Sequence, residues 1–562
     1  MERGVVTRHM PCNIQLQTLR CNHLLLHSKN LRKPRHLSCK AISDRVDRRG
    51  VLLSGAAAAI GLATQHSNSA IAAPIRPPDL GNCRPIQHDN LNCCPPYCPT
   101  TEIVDFRPPS DSSLRKRRAA HRLVNDQEYL CKYELAVARM KALPDSDPRS
   151  FSQQWRVHCA YCEGAYPQVG FPDREIQIHG GWLFFPWHRL YLYFHERILG
   201  KLIGDDNFAL PFWNWDAREG MTLPAIYTNE HSLLYDKKRN PMHEPPVTVD
   251  LDYVCCDDDP TLPREELIEK NLKIMYRQMV SNTKTKELFF GKPYRQGDMP
   301  HKGSGNIELL PHNTVHNWTG DPNMPNCGED MGVLRSAARD PVFFAHHGNI
   351  DRMWNIWKTC LPTSPNTDLT CPDWLDASFL FYDEEARLVR VRVRDCLDTT
   401  ALGYTYEDVH LDWLHAMPSV AKGDPELADG PADKLFPRTL DNKTVRAGVE
   451  RSPKKEGQEE EEVLVIREIE IANCQRCVKF DVFVNAPKGL TDTAAAQCVG
   501  SVALTPHAKR GSMKTEARFG ISDLLQAIDA EGAEKVVVSI VPRSAGDAVT
   551  IGGVSIEYVG VE

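Results

Sequence analysis

The chain has 562 residues, of which 41% are hydrophobic and 25% charged, and its formal net charge is −7 at neutral pH. This length and composition predict two or three domains with cores, and no run approaches the roughly 18 apolar residues of a membrane-spanning helix. Beyond residue 73 the chain is acidic, which argues against nucleic acid as a partner.

Residues 1–72 are predicted to form a two-part targeting leader. The segment up to about residue 45 is basic and poor in acids, as is typical of an organelle transit peptide. A pair of arginines at 48–49, the apolar stretch "VLLSGAAAAIGLA" and the small-residue site "AIA" at 70–72 follow. Together these features indicate a twin-arginine export signal, so the leader predicts the thylakoid lumen of a plastid.

The chain after the leader is predicted to begin with a cysteine-rich loop, "GNCRPIQHDNLNCCPPYCP". The adjacent cysteines at 93–94 do not easily bridge each other, so each should pair elsewhere, and spacing alone leaves the connectivity open. Such a loop fits an oxidising or translocated compartment. Apolar periodicity then predicts helices over 114–142, 151–160, 187–202, 263–283 and 342–360.

The C-terminal part is predicted to be rich in strands. The stretch "ARLVRVRVRDCL" indicates a strand with one wet face, and "VLVIREIEI", "CVKFDVFVN" and "KVVVSIVP" indicate an all-β domain. Between them, low hydrophobicity and four consecutive glutamates at 459–462 predict little burial. The resulting divisions are a leader (1–72), a central domain with the cysteine-rich loop (73–370), a strand-rich extension (371–420), a linker (421–462) and a β domain (463–562).

Two segments after residue 300 contain histidines at spacings that suit a metal. His312 and His316 in "PHNTVH" are four residues apart, which places both imidazoles on one face of a helix. His347 precedes Asp351 by four residues in "AHHGNIDRMW". Because a carboxylate on the same face fixes the tautomer of a ligating histidine, this spacing favours His347 over His346 as the ligand.

Three further histidines lie before residue 200. His158 opens "HCAYCEGAY", and His179 and His188 bracket the aromatic segment that begins "HGGWLFFPWH". His195 follows His188 by seven residues and is interpreted as a core side chain. The six candidates predict two sites of three imidazoles each, with no carboxylate in a ligand-like position. Such a pair suits copper, which can bind O2 between two ions, better than hydrolytic zinc.

The chain resembles the plant polyphenol oxidases, members of the tyrosinase and catechol oxidase group with a coupled (type 3) dicopper centre. The resemblance covers nearly the whole chain and rests on "HCAYCEGAY", "HGGWLFFPWHRLYLYFHERIL", "PFWNWD", "PHNTVHNWTG", "MGVLRSAARDPVFFAHHGNIDRMW", "DWLDASFLFYDE" and "CVKFDVFV". It implies an α+β fold: a mainly α-helical catalytic domain with a four-helix bundle holding the dicopper site, and a C-terminal all-β sandwich domain that shields the active site.

The resemblance also assigns residues. The implied copper ligands are His158, His179 and His188 for copper A, and His312, His316 and His347 for copper B. The implied covalent links are the disulfides Cys83–Cys94 and Cys93–Cys159 and a thioether between Cys162 and His179. A thioether would restrict the imidazole and keep the thiol out of solution chemistry.

Three more positions carry roles by resemblance. Glu308 corresponds to a glutamate that holds a water near copper B, and Asn313 to a residue that helps this water act as a base toward phenols. Some o-hydroxylation of monophenols is therefore expected. Leu334 stands where many plant members have a phenylalanine over copper A, so we expect a wider entrance or a different substrate choice.

The implied activity is the oxidation of catechols to o-quinones, with O2 reduced to water. The expected partners are a small phenol, O2 and an activating protease, with no nucleic acid and no membrane span. The β domain is expected to keep the enzyme latent until the linker is cleaved.

Three alternatives remain open at this point. An O2 carrier uses the same six-histidine chemistry without turnover, although a plastid leader and a single copy of the domain argue against it. A zinc hydrolase or structural metal site is a second alternative. A specialised hydroxylase of one secondary metabolite is the third, and Leu334 makes it plausible.

Overall fold

The computed structural model describes residues 73–86, 91–109, 114–254, 262–323, 328–361, 367–453, 459–507 and 511–561. The predicted leader, 1–72, lies outside these residues. In the described ranges the α-helices are α1 (Gln127–Lys141), α2 (Phe151–Cys162), α3 (Phe184–Ile203), α4 (Arg264–Met279), α5 (Lys286–Phe290), α6 (Asn313–Thr319), α7 (Val342–Thr359), α8 (Pro372–Leu375), α9 (Ala432–Leu435) and α10 (Ser522–Ala527).

The strands before residue 431 are short. They are β1 (Ile103–Asp105), β2 (Arg115–Arg117), β3 (Pro167–Gln168), β4 (Phe171–Glu175), β5 (Ser378–Tyr382), β6 (Leu388–Arg392), β7 (Tyr404–Tyr406) and β8 (Gly430–Pro431). The later strands are β9 (Arg438–Thr439), β10 (Val445–Glu450), β11 (Glu460–Ile471), β12 (Val478–Val484), β13 (Cys498–Leu504), β14 (Met513–Gly520), β15 (Lys535–Ser544), β16 (Val549–Ile551) and β17 (Gly553–Gly560).

Helix α3 lies at the centre of the helical part, with α1 and α7 packed against it. It is buried along most of its length because apolar side chains occupy nearly all of its faces. The Ser150 hydroxyl caps the start of α2 by accepting from the Gln153 amide, and Gly204, in the left-handed conformation, ends α3. The helical core confirms the expected mainly helical domain.

The predicted helix at 114–142 starts later than its apolar pattern indicated. Residues Arg115–Arg117 form β2 instead, parallel to β7, and α1 begins at Gln127. Both arginines are buried because they reach the carboxylate of Glu196 on α3, at 3.1 Å and 2.8 Å. Buried ion pairs therefore stabilise this segment as a strand. The hydrophobic periodicity of the sequence carries no information about such pairs.

The C-terminal part is a pair of five-stranded sheets that enclose a second apolar core. One sheet has the strand order β13-β12-β15-β10-β8, and the other β14-β11-β16-β9, with β17 also paired to β11. The predicted all-β sandwich is confirmed in this arrangement. In the extension before it, β5 and β6 are antiparallel, and the strand predicted in "ARLVRVRVRDCL" ends at Arg392, where a short 3₁₀ turn begins.

The structure differs from the predicted linker at 421–462. Strand β10 runs inside a sheet, between β15 and β8, and its Val445 and Val449 are buried. The glutamate run opens β11, and its Glu462 is buried because Arg451 binds its carboxylate at 2.6 Å. A composition rich in charge suggested solvent exposure, whereas specific ion pairs allow burial here.

Both disulfides implied by the resemblance are present, Cys83–Cys94 and Cys93–Cys159. The second joins the cysteine-rich loop to α2 at the residue after His158. No helix in the described ranges has the length and apolar character needed to cross a membrane.

Candidate metal centre

Two clusters of buried histidines lie within the helical domain. The first group is His158, His179 and His188, and the second group is His312, His316, His346 and His347. In each group, one ring nitrogen per residue lies within 4.8 Å of the others. The structure thus brings together all six predicted ligands and adds His346 to the second group. Within the described part of the chain, both groups consist of histidines and include no carboxylate or cysteine.

Backbone carbonyls orient two rings of the first group. The Nδ1 of His158 lies 3.0 Å from the carbonyl oxygen of Leu334, and the Nδ1 of His188 lies 2.8 Å from that of Phe184. A carbonyl can only accept, so each Nδ1 carries the proton and each Nε2 keeps its lone pair for a metal. His179 lies in the loop before α3, and neither of its ring nitrogens has a hydrogen-bond partner among the described residues.

The second group follows the same rule. The Nδ1 of His316 donates to the Met331 carbonyl at 2.8 Å, and the Nδ1 of His312 lies 2.9 Å from the Asn313 side-chain oxygen. His312 does not lie within α6 as the spacing suggested. It ends a kinked turn, Glu308–His312, immediately before the helix. Its ring nevertheless lies 4.6 Å from that of His316, centroid to centroid.

Both His346 and His347 lie in the second group, and the carboxylate predicted to distinguish them does not orient either ring. Asp351 binds Arg189 and accepts a hydrogen bond from Tyr404 at 2.6 Å, instead of orienting His347. What distinguishes the two histidines is the Trp215 indole, which donates to the Nδ1 of His346 at 3.0 Å. His346 must then carry its own proton on Nε2, which removes the lone pair that a metal would need.

The two groups adjoin each other. The His188 and His347 rings stack with centroids 4.2 Å apart, and the Nε2 atoms of His316 and His347 are 3.2 Å apart. The Nε2 atoms of His158, His188 and His312 are buried without a hydrogen-bond partner among the described residues. Buried nitrogens that lack partners and converge in this way fit metal ions.

All six imidazoles are held neutral, as metal ligation requires. Burial lowers the pKa of His188 to about 3 and that of His316 to about 4. Burial, with the neighbouring rings adding to it, lowers the pKa of the other four well below the usual histidine range. His195 is a core side chain as predicted, because its ring stacks on Phe344 at 3.6 Å.

Comparison with known proteins identifies the family. The common central domain of tyrosinase matches residues 148–360, the polyphenol oxidase middle domain matches 368–419, and the chloroplastic polyphenol oxidase C-terminal domain matches 436–558. The chloroplastic polyphenol oxidase of Malus domestica is 50% identical over 93% of this chain and 92% of its own length. The chain belongs to the plant polyphenol oxidase family.

Other similar proteins have more specialised names or are solved structures. Aureusidin synthase of Antirrhinum majus is 47% identical over 91% of this chain and 93% of its own length. The structure of latent apple tyrosinase has 51% identity and a TM-score of 0.77, and covers 82% of this chain and 100% of that chain. Polyphenol oxidases of this family are copper oxidoreductases with two copper ions, and the two histidine groups fit that pair. Several relatives are named chloroplastic.

Three predicted residues of this polyphenol oxidase line the mouth of the centre, Glu308, Asn313 and Leu334. Glu308 accepts a hydrogen bond from the Gly180 amide at 2.7 Å, next to His179. Burial raises the pKa of Glu308 to about 8, while the Gly180 amide and the Ser304 hydroxyl oppose the shift. Burial therefore favours the protonated form of this carboxyl.

Cys162 is buried beside the first histidine group. Its Sγ lies 3.6 Å from the Nδ1 of His158 and carries no bond to His179 in this structure. Burial raises the pKa of the Cys162 thiol well above its usual range, and the charge of Glu163 adds to this. The thiol therefore has little thiolate character of its own.

The β domain covers the mouth of the copper centre. The remaining cavity holds about 30 Å³ and is lined by Leu504, Thr505, His507, Met513 and Thr515 of the β domain, facing His179, Gly180, His301, Ser304, Glu308, Asn313 and Leu334. Asn313 donates to the Ala503 carbonyl at 2.7 Å. A phenol ring cannot enter a space of about one water molecule.

The sequence alone predicts no functional role for Trp215 or for the segment 504–507. Trp215 lies within the motif "PFWNWD", but nothing in the spacing links its indole to His346, 131 residues later. The segment 504–507 follows a strand, and only the packing of the two domains places it over the copper centre.

Proposed function

We propose that this protein oxidises o-diphenols to o-quinones, with reduction of O2 to water. The observation that carries the proposal is the convergence of buried, neutral imidazoles from two adjoining groups, with the Nε2 atoms turned inward. When bound there, two copper ions would bind O2 and accept the electrons that leave the catechol. The chain itself orients the imidazoles, excludes water and receives protons.

The proposed ligands of one copper are His158, His179 and His188. Those of the other are His312, His316 and His347. His346 is excluded because its Nδ1 accepts from Trp215. A carboxylate in the ligand set would have favoured zinc hydrolysis or mononuclear iron, and neither group contains one among the described residues.

Glu308 and Asn313 are proposed to handle the phenolic proton. The Glu308 carboxyl lies at the mouth, and Asn313 is held through the Nδ1 of His312 at 2.9 Å. Together they would hold a water that takes the proton from an incoming phenol. This supports o-hydroxylation of monophenols as a second activity of the same site.

A thioether between Cys162 and His179 is proposed for the mature protein. Its formation would remove one hydrogen from sulfur and one from the ring carbon, and O2 would take up these two hydrogens to give H2O2. His179 lies in a loop and has no hydrogen-bond partner for either ring nitrogen among the described residues, so a covalent bond would hold its ring. Mass spectrometry of a tryptic digest checks this. The peptides that contain Cys162 and His179 should be found as one linked species, whose mass is two hydrogens below the sum of the two peptides.

The protein is proposed to be latent until a protease cuts between its domains. The filled mouth supports this, as do relatives whose names describe latent forms. The proposed units are the leader (1–72), the catalytic domain (73–370), its extension (371–420) and the shielding β domain, which takes in strands β8 and β10 of the predicted linker (421–462) as well as residues 463–562. The leader is proposed to direct the chain to the chloroplast and then to the thylakoid lumen.

A specialised hydroxylase is the second candidate. Two similar proteins have names of this kind, aureusidin synthase and, at 44% identity, (+)-larreatricin hydroxylase of Larrea tridentata. Leu334 supports it, because an aliphatic side chain at the mouth leaves more room than an aromatic one.

The experiment that tests the main proposal is O2 uptake by the copper-loaded protein with added catechol, before and after limited proteolysis. Sustained uptake after proteolysis is expected. An O2 carrier would consume only a stoichiometric amount, and a protein that purifies with zinc and without copper would contradict the proposal. A panel of monophenols in the same assay separates the two candidates.

A further inference from the structure

The β-domain segment 504–507 fills the mouth and occupies a slot beyond the copper centre. His507 lines the same cavity as His179 and Leu334. Its Nδ1 lies 3.8 Å from the Oε2 of Glu163, and its ring meets that of His301 edge-to-face, with centroids 5.3 Å apart. One aromatic ring from the β domain thus lies between a carboxylate and an imidazole of the catalytic domain.

Glu163 and His301 are both attached to segments that position the first histidine group. Glu163 follows Cys162 and forms the C-terminal cap of α2, the helix that carries His158. His301 packs directly on Gly180, where an added Cβ would come within 2.7 Å of the His301 Cα. His301 also has a φ of 58°, in the left-handed region that non-glycine residues rarely adopt. Such backbone strain is concentrated at functional sites.

The Glu163 carboxylate is almost wholly covered in the latent state. Its side chain is 1% exposed and that of His507 is 11% exposed. Because His507 lines the cavity and also contacts Glu163, withdrawal of the β-domain segment would open the cavity as far as this carboxylate. A phenol at the copper pair would then extend its ring substituent toward Glu163 and His301.

We propose that Glu163 and His301 form an outer recognition site for the substituent of the phenol, and that this site favours catechols with an ammonium group over those with a carboxylate. This inference rests on the proposed function. Glu163 would pair with the ammonium group, and His301 would pack against the side chain that carries it. His507 holds this place in the latent protein. Glu163 is a specificity residue here and takes no part in the electron transfer.

A cation close to His301 opposes this preference. Lys292, whose side chain packs on Gly303 close to His301, binds Glu516 of the β domain at 3.0 Å. Once the β domain moves, Lys292 could attract a carboxylate instead. Comparing kcat/KM for an amine and an acid substrate therefore shows whether Glu163 or Lys292 determines the charge preference of the slot.

The test uses the copper-loaded protein, produced at full length and then cut by limited proteolysis, with both fragments kept in the sample. The substrates are dopamine, 3,4-dihydroxyphenylacetate and the uncharged 4-methylcatechol. The wild type should show kcat/KM for dopamine about tenfold above that for the acid. Glu163→Gln should remove this preference through the KM for dopamine, leaving kcat and the kinetics of 4-methylcatechol within about twofold.

Two control variants make the assignment specific. Glu175→Gln removes a carboxylate close to Gly164, one residue from Glu163, and should leave the preference in place. Glu163→Asp keeps the charge and should retain most of it. An equal loss with Glu175→Gln, or an unchanged ratio with Glu163→Gln, would overturn the inference. Absence of 4-methylcatechol turnover in the wild type would contradict the proposed function itself, and the inference with it.

Discussion

The two histidine groups differ in how the protein orients their imidazoles. Among the three predicted ligands of each group, two rings have an Nδ1 fixed by an oxygen acceptor, and one ring has no such partner among the described residues. In the second group that ring is His347, held on α7 between Phe343 and His188, with centroids 4.2 Å from each. In the first group it is His179, which lies in a loop. A helix can position a ligand by packing alone, whereas a loop needs a further constraint.

The second group also shows that proximity does not make a ligand. His346 lies as close to His316 and His312 as a ligand would, but Trp215 has determined its tautomer. An oxygen acceptor at Nδ1 leaves Nε2 available to a metal, whereas the indole N–H of Trp215 does not, and this distinguishes His346 from the predicted ligands whose tautomer is fixed. Four substitutions would break or sharpen this comparison.

The largest effect is expected from removing a proposed copper ligand. His312→Ala should abolish copper binding in the second group and essentially all oxidase activity, because Trp215 fixes His346, the neighbouring imidazole, in a tautomer that cannot replace the lost ligand. His346→Gln is the matched control, and should retain two coppers per chain. Copper content by elemental analysis, measured alongside O2 uptake, checks both variants. Loss of copper in the control would remove the distinction between His346 and His347.

Asp351→Asn tests how firmly α7 is anchored. Asp351 is fully buried and pairs with Arg189 and with Arg117, and the Arg189 guanidinium lowers the pKa of this carboxyl against the effect of burial. Removing one partner of a buried ion network should cost about 3–5 kcal/mol of unfolding free energy. Denaturant unfolding measures it, with Asp412→Asn, near the surface, as the control. An effect below about 1 kcal/mol would show that packing alone holds α7.

The pH dependence of the copper-free protein tests the buried imidazoles. The pKa of His188 is about 3 in the folded protein and 6.5 when unperturbed, so the unfolded chain binds a proton that the folded chain cannot. Stability is therefore complete above about pH 6.5 and falls on acidification. His188→Gln should reduce this slope by about 1.4 kcal/mol per pH unit between pH 6 and 4. Acid titration of unfolding at fixed denaturant checks it; equal slopes would contradict the neutral, buried state of His188.

Trp215→Phe should have the smallest effect. It removes the indole N–H that holds the tautomer of His346 while keeping most of the ring volume. The expected loss is about 1 kcal/mol of stability and at most about tenfold in activity. Differential scanning calorimetry and initial rates measure these. If His346 then displaces His347 as a ligand, the spectrum of the copper centre should change, whereas no change would show that packing of α7 also holds His346 aside.

Local patterns predicted much of this structure because they report on local forces. The helices α2, α3 and α7 start or end within a few residues of the predicted bounds, since apolar periodicity reflects the face that each helix buries. The cysteine-rich loop and the β domain were predicted for similar reasons. The extended segment at 115–117 and strand β10 were not, because buried ion pairs and sheet neighbours distant in sequence determine them.

The six candidate ligands could be found by residue type and spacing, together with a family resemblance. Their orientation could not. The carbonyls of Leu334 and Met331 orient His158 and His316, and a backbone carbonyl leaves no mark in the residue types of its loop. Asp351 had a suggestive spacing from His347 and a different role, because two arginines from other elements reach it first.

The amino-acid sequence by itself determined the chemistry available to this protein: six imidazoles, no competing carboxylate, and a β domain joined to a helical one. Only the tertiary structure decided which nitrogen of His158, His188, His312 and His316 is left for a metal, that Trp215 fixes the tautomer of His346, and that His507 covers the mouth beside Glu163. The reason is physical. Residue type sets what an atom can donate or accept, whereas its partner is set by chain segments that meet only when the protein folds.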